Sequence, residues 1–212
     1  WGSPLPQVFT NGLIMANLID RQTYKDMQGI TSTANDFILS TFIDSVSQLV
    51  KTYCNNTFVD HFTVANKKIE TFSIDYNTHF VQLAESPVNT IVAVKERSSI
   101  SEAYTDIVSN TSKWYLDSST DSIYRANEGN GYKNFPIGPG SVVIEYTAGY
   151  SNVPEDLKLA VIDLVTYYFK DQTKSRQTIA GASLQVNPTS TMRGNIGFPD
   201  HIKRILDLYK NY

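Results

Sequence analysis

Hydrophobic residues recur at helical spacing in the first quarter of the chain. Seven of them fall at i, i+3, i+4 and i+7 and predict one apolar face on a helix that runs to about residue 53: Leu39, Phe42, Ile43, Val46, Leu49, Val50 and Tyr53. Ser32 or Thr33 is predicted to cap the start of this helix. A shorter helix is predicted from Asp20 to Gln28, closed by Gly29, because helices commonly end on a left-handed residue.

Two more helices are predicted towards the other end of the chain. Pro154 suits a first helical position, and an apolar stripe from Leu157 then continues to about Lys170. Pro199 opens a last helix that carries Ile202, Ile205, Leu206 and Tyr209 on one face. The intervening residues 172–197 are polar and rich in Gly, Ser, Thr and Asn, so a mobile loop is predicted there.

Between the helical segments the apolar period changes to that of β-strands. Apolar residues alternate or cluster between polar turns, as they do in strands that are buried on one face. The clearest strand is predicted at residues 142–150. The others are predicted at residues 58–65, 69–76, 79–83 and 90–96, with weaker ones at 113–116 and 122–126.

This order of helices, strands and helices predicts an α+β fold. Helices from residues 15–55 and 152–212 are expected to form a bundle that packs with a mostly antiparallel, β-rich insertion at residues 58–150. We expect residues 15–212 to form a single domain. Residues 1–14 precede a natural-looking start at Met15 and are interpreted as an upstream extension or a cloning remnant.

Composition and charge exclude several classes of protein. The 212 residues are 41% hydrophobic and 18% charged, which is typical of a globular chain. A formal net charge of −3 does not indicate a strong nucleic-acid binder, although the segment from Lys170 onward is basic. The lone cysteine, Cys54, excludes an intramolecular disulfide and is predicted to be a small buried residue. Neither a membrane-spanning apolar run nor a secretion signal is evident.

Candidate catalytic groups are few. His61, His79 and His201 lack metal-ligand spacing, and no phosphate-binding glycine loop or serine nucleophile motif occurs, so no cofactor or metal is predicted. A glycan hydrolase needs two carboxylates at a defined distance from each other, and a sequence does not give that distance. Five aromatic residues in or near predicted strands would stack on sugars if exposed together, or else pack a core: Trp114, Tyr115, Tyr124, Tyr132 and Phe135.

The motifs of the chain, taken in order, resemble those of the head–tail connector (adaptor, or head-completion) proteins of tailed bacteriophages. The most specific match is the run at residues 143–150 followed by residues 153–160. Asn56 departs from the pattern, because a basic residue is common there. The other matching positions are residues 15–19, Tyr24, residues 29–31, Asp36, residues 53–58, residues 86–88, Ile91, Val94 and the helix that begins at Pro199.

This resemblance implies a structural protein and not an enzyme. It implies a ring, usually of twelve subunits, beneath the portal at the head–tail junction of the virion, assembled in the cytoplasm of the bacterial host. The implied partners are the portal protein, a stopper or tail-completion protein and further copies of the chain. Double-stranded DNA would touch the ring only while passing through its channel, and no membrane is involved.

In the family the C-terminal region engages the portal. The resemblance therefore places portal docking on the last helix: Ile202, Lys203, Arg204, Ile205, Tyr209 and Tyr212. Removal of residues 199–212 is expected to leave a folded monomer that no longer attaches to the portal; the alternative is that the helix only covers the core of its own chain. Another neck, tail or baseplate component with an aromatic carbohydrate-binding surface is the alternative function, and a glycan hydrolase is the third.

Overall fold

Four helices form the first layer of the fold. The computed structural model describes residues 16–107, 113–127, 131–174 and 198–211, with side chains of the third range as far as residue 169. The helices, in chain order, are α1 (Arg21–Gln28), α2 (Asp36–Cys54), α3 (Glu155–Lys174) and α4 (Asp200–Asp207). The four predicted helices are thus confirmed, with α3 extending into the predicted loop. Residues 1–14, residues 175–197 and Tyr212 lie outside the described residues.

Helix α1 begins and ends as its sequence predicts, whereas α2 begins later than predicted. The Asp20 carboxylate accepts the backbone N–H of Thr23 at 2.9 Å, and Gly29 adopts a left-handed φ of 65°. The predicted cap of α2 at Ser32 or Thr33 is wrong, because the residue that directly precedes the helix is Asn35. Thr33 lies before it, and its carbonyl accepts the N–H of Asp36 at 3.1 Å. Helix α2 starts at that aspartate, which forms an ion pair with Lys25.

The helices bury their apolar stripes in a common core. Helices α2 and α3 lie antiparallel, since Phe42 near the start of α2 meets Phe169 near the end of α3 at a centroid distance of 6.0 Å. The Tyr24 hydroxyl lies 3.0 Å from that of Thr166 and joins α1 to α3. Cys54 is fully buried in this core, as predicted from its place after an apolar stripe.

Burial also governs the reactivity of Cys54. Desolvation raises the pKa of its thiol to about 12, helped by the nearby Asp207 carboxylate. The reactive thiolate is therefore scarce at neutral pH. We expect a maleimide to leave the native chain unmodified and to label Cys54 once urea unfolds the protein, as measured by intact-mass spectrometry. Rapid labelling of the native chain would contradict the burial of this residue.

Among the described residues, seven strands form two antiparallel sheets. In chain order they are β1 (Lys68–Ile74), β2 (Phe80–Gln82), β3 (Val88–Glu96), β4 (Thr105–Asp106), β5 (Trp114–Asp117), β6 (Ser122–Arg125) and β7 (Gly138–Ala148). One sheet has the order β1-β7-β3-β4 and the other the order β2-β6-β5. All strand pairs are antiparallel. The predicted α+β class with an antiparallel β-rich block is therefore confirmed.

The prediction of a strand at residues 58–65 is wrong. Phe58 has a φ of 64°, which no strand residue adopts, and its ring is buried in the helical core. Residues Val64–Asn66 form one 3-10 turn. This segment is a junction: the Phe58 carbonyl accepts the N–H of Tyr150 at 2.6 Å, and the His61 carbonyl accepts that of Ala148 at 2.9 Å.

A second core lies between the two sheets. Alternate residues of β7 point into it, among them Val142, Ile144 and Tyr146, and residues such as Val81 and Ile123 meet them from the three-stranded sheet. An almost fully buried side chain also joins the sheets: Arg125 donates two hydrogen bonds to the carboxylate of Glu96, at 3.0 and 3.2 Å. Because one face of the three-stranded sheet packs against the other sheet, its outer face is exposed to solvent.

Candidate docking surfaces

Helix α4 is held on the helical core by the apolar side of its own sequence. Ile202 and Leu206 are buried there, and Phe198 packs edge-on against Tyr53 at a centroid distance of 4.9 Å. Ile202, one of the predicted docking residues, is therefore buried against its own chain and is not available to a partner. The structure also corrects the expectation that removing residues 199–212 leaves a folded monomer, because the deletion would open this core to water.

Two other predicted docking residues also anchor the helix. Ile205 is half-buried against the helical core. The Tyr209 hydroxyl donates a hydrogen bond to Asp156 at 2.6 Å, and its ring meets those of Phe58 and Tyr150 at 5.9 and 6.4 Å. Desolvation and the Asp156 carboxylate raise the pKa of Tyr209. Tyr209 therefore stays a neutral hydrogen-bond donor that ties the end of the chain to α3.

Two of the remaining predicted residues, Lys203 and Arg204, face outward together with Leu208, an apolar residue outside the predicted stripe. Arg204 is exposed and Lys203 half-buried, and Leu208 is 79% exposed, one of the most exposed large apolar residues of the described chain. Because Arg204 and Leu208 are four residues apart, they lie on the same side of the helix. We call Lys203, Arg204 and Leu208 the α4 face. Tyr212, the sixth predicted residue, lies outside the described residues.

A second exposed surface lies on the outer face of the three-stranded sheet. Phe80 pairs with Tyr124, which pairs with Tyr115, so three aromatic rings form one row across three strands. His79 and Tyr132 flank this row, with ring centroids 4.4 Å apart. We call these five residues the aromatic surface. Of the five aromatics weighed in the sequence, Phe135 is instead buried in the sheet core, and Trp114 is half-buried against it.

Four of the five rings of the aromatic surface contact one another. Phe80 and Tyr124 are stacked at a centroid distance of 5.6 Å and an interplanar angle of 27°. Tyr124 is also tilted against Tyr132 at 6.1 Å and against His79 at 5.9 Å. A sugar ring stacks on an open aromatic face, and here much of that area is already in contact with a neighbouring ring. The carbohydrate-binding alternative therefore gains little from this geometry.

The histidines lie apart, in three settings. His61 is not in a strand, as had been predicted, but in the junction, where its Nδ1 donates to the Asn66 carbonyl at 2.7 Å. His79 belongs to the aromatic surface, and His201 is exposed on α4. Among the residues that the structure describes, no group of three His, Cys, Asp or Glu side chains is placed to hold a metal ion. Within the same residues, no helix is both long and apolar enough to span a membrane.

The fold is shared with chains in the necks of gene transfer agent particles. Over 92% of this chain, the structure resembles a chain in the neck of an empty gene transfer agent (GTA) particle determined with C6 symmetry, of which it covers 90%, at a TM-score of 0.59. It also resembles a chain in the neck of a native GTA particle with C12 symmetry, with 90% of this chain and 87% of the other covered at a TM-score of 0.55. The sequence identity is 16% in both comparisons, so this likeness concerns the fold.

The sequence comparisons identify the family. The head completion protein of Escherichia phage T5 is 36% identical over 72 residues, which cover 34% of this chain and 39% of that protein. That match spans well under half of the curated relative. Residues 17–212 match the sequence profile of the family described as "Head completion protein". The chain belongs to the head completion protein family, and the resemblance to phage head–tail connectors seen in its sequence is thereby confirmed.

Proposed function

We propose that this chain is a structural head–tail connector that forms a ring of twelve subunits beneath the portal and docks the stopper or tail. The observation that carries the proposal is the family match, which spans residues 17–212. The C6 and C12 symmetries of the GTA necks that share its fold support a ring of twelve, since twelve copies satisfy both symmetries. The role is structural, and the chain carries no catalytic activity.

The charge of the chain suits a ring through which DNA passes. Each cation that neutralises a phosphate strengthens binding through counterion release, so a conduit that must not retain DNA presents few of them. The segment from Lys170 to the end has seven basic and three acidic residues, a net charge of +4, and the residues before Lys170 have a net charge of −7. The acidic body therefore lines the channel, and the basic end of the chain faces the portal.

The α4 face is the part of the C-terminal region that docks. Its anchors, Ile202 and Leu206, fix the helix on the core, so Arg204 and Leu208 are presented at a constant angle. Two cations beside an exposed leucine fit a partner surface that is acidic around an apolar centre. Lys203, Arg204 and Leu208 thus contact the portal, whereas Ile205 and Tyr209 hold the helix in place.

Charge reversal on the α4 face tests this docking. The variant Lys203→Glu/Arg204→Glu is expected to fold normally, because neither side chain is buried, and to bind purified portal protein at least about tenfold more weakly. Binding is measured by co-sedimentation and folding by thermal denaturation. The matched control, Ser45→Glu/Thr52→Glu, adds negative charge to an exposed side of α2 and is expected to bind normally. Undiminished binding of the first variant would place the docking surface elsewhere.

The position of the chain in the particle tests the function itself. Electron microscopy of virions is expected to show the chain as a closed ring between portal and tail. A location at the tip of a fibre or in a baseplate would overturn the connector function and favour the carbohydrate-binding alternative, which a glycan array would then examine.

A further inference from the structure

The aromatic surface is large enough to form the centre of a protein interface. Phe80, Tyr115 and Tyr132 are 44%, 62% and 70% exposed. With about 150–250 Å² for each aromatic side chain, these three alone leave roughly 350 Å² in water. The largest apolar patch on a monomer is commonly of this size and is often functional, and one side of a standard interface buries about 800 Å².

The chemistry of this surface fits a protein partner. Four of its five rings contact one another, and Tyr115 and Tyr132 remain largely exposed. Tyrosine provides a large contact area with few rotatable bonds and is enriched at the centres of interfaces. The row is rigid because Phe80, Tyr124 and Tyr115 are fixed on three hydrogen-bonded strands.

The chain has a second exposed apolar patch, of different composition, where α1 meets α2. Phe37 is 85% exposed in the first turn of α2, and Met27 and Ile38 are about half exposed. The ion pair between Lys25 and Asp36, at 2.9 Å, holds the end of α1, which carries Met27, beside the start of α2, which carries Phe37 and Ile38. We call Met27, Phe37 and Ile38 the helical corner.

The helical corner lies at the end of α2 that is remote from the sheets. The other end of α2 contacts the sheet region: Asn56, just beyond it, donates to the Ser86 carbonyl at 2.7 Å. A helix of 19 residues is about 28 Å long, so the two patches lie on different parts of the molecule. Neither patch can cover the other within one chain.

Two different apolar patches on one chain are what a head-to-tail ring requires. Each subunit of such a ring touches one neighbour with one patch and the other neighbour with the second, whereas a two-fold contact needs only one patch. We propose that the aromatic surface of one copy docks on the helical corner of the next copy. This inference rests on the proposed ring function and identifies the surfaces that close the ring.

The charges beside the two patches are complementary. Lys133, which is exposed, follows Tyr132 of the aromatic surface, and Asp26, also exposed, precedes Met27 of the helical corner. Contact between the patches brings these opposite charges to the edge of one interface, where they favour the correct orientation. Contact between two aromatic surfaces would instead bring two lysines together.

Cysteine crosslinking tests this contact directly. The double variant Asp26→Cys/Lys133→Cys, which spares the aromatic and apolar anchors, is added as full chain to filled heads and treated with a short bis-maleimide. A ladder of dimers, trimers and larger species is expected on denaturing gels, because each copy is linked to two neighbours. Buried Cys54 contributes no background. A mixture of chains carrying Asp26→Cys alone and chains carrying Lys133→Cys alone is expected to stop at dimers.

Other outcomes separate this inference from the proposed function. A ring that microscopy shows on the heads but that yields no crosslink, or homodimers formed by one single variant alone, would overturn the contact and leave the connector function intact. The absence of any ring at the head–tail junction would overturn the function itself.

A disruptive variant provides a second measurement. Phe37→Ser is expected to reduce ring assembly on heads by roughly tenfold or more, since loss of a central aromatic anchor weakens an interface strongly. The matched control is Ile100→Ser, which changes an exposed apolar residue, 67% exposed, outside both patches and is expected to assemble normally. Equal assembly of the two variants would contradict the proposed interface.

Discussion

The Gly149→Ala variant is expected to lose most of the stability of the folded chain. Gly149 follows β7 with a φ of +90°, and an added Cβ would lie 2.1 Å from the Phe58 carbonyl oxygen. That carbonyl cannot withdraw without loss of the 2.6 Å hydrogen bond from Tyr150. A backbone clash added to an unfavourable φ is expected to cost more than about 4 kcal/mol, against a total stability of about 5–15 kcal/mol.

Gly29→Ala is the matched control for this experiment. Gly29 also has a positive φ, of +65°, but no atom lies within 4 Å of the position of an added Cβ. Only the conformational cost then applies, about 1–2 kcal/mol. Urea denaturation followed by circular dichroism measures both free energies of unfolding. If both variants lost the same stability, the close approach of residues 58 and 149 would not be the constraint.

The helices could be predicted from the sequence because their evidence is local. Regular spacing of apolar residues over five turns of α2 leaves few alternatives, and Gly29 and Pro199 mark helix boundaries by their own backbone chemistry. Most strands could also be predicted, because apolar residues alternate or cluster in them, but their assembly into two sheets with the orders β1-β7-β3-β4 and β2-β6-β5 could not.

The errors arose where a residue serves the tertiary structure and not its own segment. Phe58 was expected to begin a strand, yet its backbone has a positive φ and its side chain packs in the helical core. Strand β4, with only Thr105 and Asp106, is too short and polar to leave a signal. Phe135, by contrast, packs the core between the sheets, which was one of the two alternatives for the aromatic residues of this region.

The candidate surfaces were predictable only in part. The α4 stripe contains both anchors and docking residues, and only packing against α2 and α3 separates Ile202 from Arg204. The aromatic surface required strand register, because Phe80 and Tyr115 are far apart in sequence and meet only through Tyr124. His79 belongs to the aromatic surface because it directly precedes β2 and contacts Tyr132, and no rule of residue spacing predicts this.

Removal of the Asp60 carboxylate is the second change with a large expected effect. Asp60 forms an almost fully buried ion pair with Lys51, whose Nζ donates to both carboxylate oxygens at 2.7 and 2.8 Å. The Asp60 carboxylate also accepts the backbone N–H of Ala16 at 2.9 Å, and the Lys51 ammonium donates to the Ala16 carbonyl at 2.7 Å. The pair thus fixes the segment before α1 against the end of α2.

The Asp60→Ala variant is expected to lose about 3–5 kcal/mol in the free energy of unfolding, because it leaves the Lys51 ammonium buried without a counter-charge. Glu155→Ala, which breaks the solvent-exposed pair with Lys158, is expected to cost less than about 1 kcal/mol in the same urea titration. The double variant Lys51→Met/Asp60→Leu removes both charges and is expected to be more stable than Asp60→Ala, since no buried charge is left unpaired. A double variant at least as unstable as the single one would show that the hydrogen bonds to Ala16, and not the uncompensated charge, dominate the energy of this site.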